Sequence, residues 1–162
     1  MKKIRNLFIA LTLILSICTL SSCKGKEQTF TSNGITVTLN SKFKEQTIQG
    51  AQVVYATNKL GFMGNAENKS VVGLGDNKLE QYTKAVIDAS SLNVEYQIFD
   101  EDGVKFGYAY YSASVSGIKY KYMLVTKEGK DNYYTMNFWS FEKSFNKNEN
   151  QFMEWAKQIV VE

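Results

Sequence analysis

The chain has no histidine, no proline and only two cysteines in its 162 residues. Without His there is no Ser-His-Asp or Cys-His relay, no imidazole metal site, and none of the commonest general base. Cys18 lies inside an N-terminal apolar run and Cys23 just beyond it. Removal of that run discards Cys18 and leaves no pair for an internal disulfide. Long apolar runs are also scarce. The stretch from Leu7 to Leu20 falls short of the roughly 20 residues of a comfortable bilayer span, and no other segment approaches it. Excess charge is missing too. No acidic residue precedes position 24, and the 19 basic residues less Lys2, Lys3 and Arg5 equal the 16 acidic ones, so the chain beyond the run is formally neutral. It lacks the basic footprint that drives phosphate-backbone binding, which argues against nucleic acid as a partner.

What is present points to export and folding. Residues 1–22 have a basic start (Lys2, Lys3, Arg5), the apolar run, and a small-residue end. The segment Leu20-Ser21-Ser22-Cys23 resembles the lipobox of bacterial lipoproteins. That resemblance implies alkylation of the Cys23 thiol with a diacylglyceryl group, cleavage before it, and a protein held on the outer side of a membrane by lipid. Buried acyl methylenes contribute about 0.8 kcal/mol each, so such an anchor needs no basic patch to hold. Lys24 follows where an inner-membrane retention signal of the usual kind has Asp, so the cell or outer membrane is expected according to envelope type. With 44% hydrophobic and 14% aromatic residues the remainder has enough apolar surface to fold. The expected organisation is a signal at 1–22, a lipidated tether at 23–33, and one domain at 34–162.

Periodicity predicts an α+β domain. Strands are expected at Ile35–Leu39, Gln52–Thr57, Leu60–Met63 and Ser70–Leu74. A helix capped by Asp76 or Asn77 then runs to about Ala89, with Leu79, Tyr82, Val86 and Ile87 on one face. A meander follows over Asn93–Phe99, Val104–Val115, Lys119–Thr126 and Tyr133–Phe141, joined by turn-rich connections that make neighbours antiparallel. The last helix begins at Ser144 or Asn146 and carries Phe145, Phe152, Met153, Ala156, Ile159 and Val160 on one stripe. Neither face of Val104–Val115 is plainly polar, so both faces of an antiparallel sheet of about six to seven strands should be covered by the two helices.

This order of elements resembles the PsbP and Mog1-like α/β/α sandwich. Gly34-Ile35-Thr36-Val37-Thr38-Leu39 with Phe43 looks like its first strand, and Gln151–Val161 like its last helix. Asn40 stands where such domains often carry Pro. The resemblance implies an accessory or binding module more than an enzyme, and brings no functional residues with it.

Chemistry is thus left to carboxylates, Lys, Tyr and Ser. Asp100 and Asp102 flank Glu101 in the densest acid cluster, but the run lacks the spacing of a calcium loop and reads as a solvated turn ending in Gly103. Gly73-Leu74-Gly75-Asp76-Asn77 lacks the third Gly and the Lys-Ser/Thr of phosphate-binding fingerprints and reads as a strand-to-helix turn. The aromatic set is more telling. Tyr110, Tyr111, Tyr122, Tyr133 and Trp139 crowd three adjacent strands, where they serve either as core or as a binding surface of apolar rings with hydrogen-bonding tips. The composition names no cofactor. The expected function is a membrane-anchored, non-enzymatic binding or accessory domain for an envelope protein or a small ligand. The alternatives are a carboxylate-based hydrolase of envelope material and a structural subunit of an envelope complex.

Overall fold

A computed structural model describes residues 26–162, so the export signal and Cys23 lie outside the described residues. Ten strands form two antiparallel sheets: β1 (Glu27–Ser32), β2 (Ile35–Asn40), β3 (Lys44–Glu45), β4 (Val53–Ala56), β5 (Leu60–Asn68), β6 (Tyr96–Glu101), β7 (Val104–Val115), β8 (Ile118–Glu128), β9 (Asn132–Phe141) and β10 (Val160–Val161). The larger sheet has seven strands in the order β3-β4-β5-β9-β8-β7-β6, and the smaller one pairs β1 and β10 on either side of β2. Among the described residues three α-helices complete the fold: α1 (Lys69–Val72), α2 (Leu79–Ala89) and α3 (Phe145–Gln158).

Turn chemistry sets the hairpins. Asn33-Gly34, Asp102-Gly103 and Ser116-Gly117 each place both residues at positive φ, between 50° and 80°. Two consecutive left-handed residues make the tight turn whose twist matches that of the flanking strands. The registers close directly on them, with Ser32 opposite Ile35, Glu101 opposite Val104 and Val115 opposite Ile118.

Strand alternation then sorts the side chains into two faces. Met123 and Val125 of β8, Phe106 of β7 and Met136 and Phe138 of β9 join one core with Phe145, Phe152, Trp155 and Ala156 of α3. Ile35, Val37 and Leu39 of the small sheet and Phe43 close the same core. Phe138 stacks on Phe152 with ring centroids 5.4 Å apart, and Trp155 meets Phe43 edge-on at 5.6 Å. Loss of one such buried ring costs about 3–5 kcal/mol. The alternate residues of the large sheet turn to α2, where Ile87 packs on Ala109 and Leu124. The result is α2, the seven-stranded sheet, then α3 together with the small sheet.

Local differences from the expected elements have local causes. Ser70–Leu74 is not a strand. Asn68 accepts a hydrogen bond from the Ser70 amide at 2.9 Å and Gly73, at φ 76°, ends the turn, so residues 69–72 form helix α1 despite Val71 and Val72. Asp76 does not cap α2, which starts at Leu79, because its carboxylate takes the Lys69 ammonium at 2.6 Å. Part of the segment expected to be tether is strand β1. Thr29 and Thr31 bond the hydroxyls of Thr38 and Thr36 at 3.0 Å, while Phe30 packs on Tyr55 at 4.4 Å. Val160 leaves the helical stripe for β10, since Ile159 is already extended at ψ 127°.

Candidate binding surface

Cross-strand register places Tyr111 opposite Tyr122, Tyr122 opposite Trp139, and Trp139 opposite Gly61. These four residues form a row straight across β7, β8, β9 and β5 on the α2 side of the sheet. Tyr111 stacks on Tyr122 with centroids 4.8 Å apart and planes 7° from parallel. The next row toward the Ser116-Gly117 turn holds Ala113, Tyr120 and Phe141, and the latter two rings stack at 5.4 Å. Beyond them stand Val115 and Ile118.

Helix α2 stops short of these rows. It covers the rows of Ala109, Leu124 and Asn137 and of Gly107, Thr126 and Thr135, with Tyr133 beyond them, and on the turn side only the edge of Tyr111 packs against the cluster of Ile87, Ala109 and Leu124. Its approach is fixed at Gly107, where a β-carbon would stand 2.2 Å from Thr83 Oγ1. Thr83 and Thr126 share a buried hydroxyl hydrogen bond at 2.7 Å, and Tyr82 stacks on Tyr133 at 4.5 Å. One half of this sheet face is therefore sealed and the other half is open.

The open half is a pavement of rings. Tyr111, Tyr120, Trp139 and Phe141 are half-buried, and Tyr122 between them is 9% exposed. Tyr111 donates its hydroxyl proton to Asn137 Oδ1 at 3.0 Å. Burial first, then the neighbouring Tyr122, pushes the Tyr111 phenol up from its ordinary value, and burial does the same for Tyr122. At neutral pH the surface is uncharged, and it offers ring faces for stacking with hydroxyl and indole N–H groups at their edges.

Tyr111, Tyr122 and Trp139 of the expected set are brought together here, with Tyr120 and Phe141 added by their two-residue spacing from Tyr122 and Trp139. Tyr110 and Tyr133 lie elsewhere. As the chain neighbour of Tyr111, Tyr110 must face the other way, and it meets Phe145 edge-on at 5.8 Å under the Lys121 ammonium. Tyr133 has the right parity but lies wholly buried beneath α2, donating to Gly75 O at 2.6 Å. Asp100 and Asp102 are remote from the surface. Asp100 pairs with Lys105 at 2.8 Å on an exposed hairpin, and Asp102 sits in its turn at φ 52°. Among the described residues no group of three or more His, Cys, Asp or Glu gathers to hold a metal.

A second feature lies at the other end of α2. A groove of about 650 Å³ runs between β5, α1 and α2, with Val71, Val72 and Val86 as apolar walls. Its floor is Glu67, whose carboxylate accepts the Tyr82 hydroxyl at 2.5 Å while Tyr82 also bonds Thr135 at 2.7 Å. Glu67 is the sole carboxylate lining it, whereas glycoside hydrolysis of the usual kind takes two across a cleft.

The fold recurs in solved structures. The solution structure of cyanobacterial PsbP from Synechocystis sp. PCC 6803 superposes with a TM-score of 0.58 at 15% identity, over 88% of this chain and 99% of that one. A Mog1 variant gives 0.52 at 14% identity, over 85% of this chain and 96% of that one. The fold is that of PsbP and Mog1. A Pseudomonas aeruginosa protein of unknown function shares this PsbP/Mog1-like fold, at a TM-score of 0.52 and 9% identity over 85% of this chain and 99% of that one. No protein-family model and no curated protein matches the sequence. Within the PsbP/Mog1-like frame the open ring pavement occupies the half of the sheet that α2 leaves bare.

Proposed function

We propose that the chain is a lipoprotein, anchored through Cys23 on the outer side of a cell-envelope membrane, whose domain binds a partner without transforming it. The observation that carries the reading is the aromatic half-face that α2 leaves without a covering helix, where the half-buried Tyr111, Tyr120, Trp139 and Phe141 surround the buried Tyr122. Rings laid along a sheet give contact area at little cost in side-chain entropy, since each is already held by its neighbours. Their neutrality suits an apolar or carbohydrate surface, or a partner's aromatic and aliphatic side chains, and offers nothing to a phosphate backbone. The absence of His, and of any thiol beyond Cys23 once the signal is cut, supports binding over catalysis. The PsbP and Mog1-like fold agrees with it, since that resemblance implies an accessory or binding module.

Affinity capture from detergent-solubilised membranes tests this. Species retained by the wild-type protein should be lost with Tyr111→Ala and Trp139→Ala, and retained with Gln97→Ala, an exposed residue of edge strand β6 that lies opposite Tyr108 on the other face of the sheet. Equal recovery with all three variants would remove the aromatic face from the account.

A further inference from the structure

The end of the domain where the chain enters carries more exposed lysines than acids, with Glu27, Glu45 and Glu142 as the acids among them. The Ser41 amide donates to Lys26 O at 2.7 Å, which fixes the entry point beside Asn40 and Lys42. Those two residues line a cleft of about 770 Å³ with Lys44, Lys59, Ser144 and Asn148, and no acid lines it. Across the short turn Glu142–Ser144 a second hollow of about 400 Å³ is lined by Ile118, Lys119, Phe141, Glu142 and Lys143. Register places all of these at one end of the large sheet, since Ala56 faces Lys44, Leu60 faces Ser140, and Tyr120 faces Phe141. The Ser116-Gly117 turn projects from the same end with Val115 and Ile118 exposed by 52% and 47%. Lys42, Lys44, Lys59, Lys119 and Lys143 are exposed there and make no ion pair among the described residues. Acids gather at the opposite end, in the Asp100-Glu101-Asp102 turn and at Glu67, Asp76, Glu128 and Asp131. Lys69, Lys105 and Lys130 offset part of that acidity, and the formally neutral domain is left with a surplus of lysine at one end of its strands and of acid at the other.

We propose that this lysine-rich end docks on the anionic headgroup layer of the membrane that carries the anchor. The inference rests on the lipoprotein reading. Three residue steps separate Cys23 from Lys26, at most about 10 Å of chain. That is about one Debye length at physiological ionic strength, so the lysines stand within reach of the surface potential. Each lysine near an anionic surface adds about a fivefold preference. Val115 and Ile118 reach the headgroup boundary at the hairpin tip, and the docked domain holds its open aromatic half-face upright beside the membrane, turned toward lateral partners.

The lipidated protein, purified from membranes and reconstituted into vesicles of phosphatidylcholine with or without phosphatidylglycerol, supplies the test. Its lysines are pulse-labelled with an amine-acetylating reagent and read by peptide mass spectrometry. Lys42, Lys44, Lys59, Lys119 and Lys143 should label at least about fivefold more slowly on the anionic vesicles, while Lys105 and Lys130 label alike on both. A lipidated Lys42→Glu, Lys44→Glu, Lys59→Glu chain should lose the protection of Lys119 and Lys143. Equal labelling on both vesicles, with a diacylglyceryl group found on Cys23, overturns the docking and leaves the anchor standing. An unmodified N-terminal peptide overturns the anchor and the docking with it.

Discussion

The indole of Trp139 occupies the space that a side chain at position 61 would need, because a β-carbon on Gly61 would stand 1.9 Å from Cζ2 and 2.0 Å from Cε2. A glycine inside a strand usually marks such a close approach. Here it lets an aromatic ring lie across the sheet instead of standing up from it.

Gly61→Ala should therefore lift Trp139 from the sheet. The expected cost is about 1–3 kcal/mol, the usual range for overpacking, read from the urea midpoint. Trp139 and Trp155 are the two tryptophans of the chain, and Trp155 is buried in the opposite core. A red shift of the emission would report the displaced Trp139. An unshifted spectrum with unchanged stability would mean that the ring does not rest on Gly61.

Gly107→Ala should act on the helix. The new methyl would meet Thr83 Oγ1 at 2.2 Å and Thr126 Oγ1 at 2.5 Å, parting the hydroxyl pair that seats α2. A loss of about 1–3 kcal/mol is expected, with faster amide exchange in α2 than in α3. Gly75→Ala has open space around it and serves as the control. Equal effects of the two substitutions would contradict the close seating of α2.

Much of the architecture is written locally. Strands β7, β8 and β9 are legible because Ser-Gly and Asp-Gly turns punctuate alternating apolar residues, and α3 because its stripe repeats at helical spacing. That Tyr110 and Tyr111 face opposite ways also follows from strand alternation alone. Which of the two faces stays open does not, because that depends on where α2 docks, and docking is decided by Gly107 against Thr83 across a sequence separation no local pattern spans. Helix α1 was hidden for a different reason. Val71 and Val72 favour a strand, and a side-chain cap from Asn68 with a left-handed Gly73 outweighs them over four residues. Strand β1 was hidden by its polar start, since its pairing with β2 depends on threonines and a single Phe.

The tyrosines predict an alkaline limit. Burial is the first cause holding the phenols of Tyr55, Tyr82, Tyr110, Tyr111, Tyr122 and Tyr133 above the ordinary value of 10.0. A folded value above the unfolded one means that the neutral phenols' contribution is complete below about pH 10 and is lost as the pH rises through the folded values. Lys127 acts with opposite sign, since burial lowers its folded value and its contribution grows as the pH climbs toward 10.5. With the six phenols and the ion-paired ammoniums of Lys69, Lys84 and Lys105, all raised, against one lowered group, stability should fall above pH 10, and most phenolate absorbance should appear together with loss of the near-ultraviolet dichroism. Gradual phenolate formation in a chain that keeps its tertiary signal would contradict this.

The proposed anchor predicts that Cys23→Ser yields an unprocessed or a released protein. Fractionation of cells with immunoblotting checks it. Mature-size protein still fixed to the membrane in this variant would exclude lipidation at Cys23.

The most direct test of a binding role for the open half-face is site-specific photocrosslinking in intact cells. A benzoylphenylalanine at position 111, 120 or 141 should give a discrete adduct of higher mass that the same group at position 97 does not. Adducts at none of the three surface positions, or the same adducts at position 97, would contradict a partner seated on Tyr111, Tyr122 and Trp139.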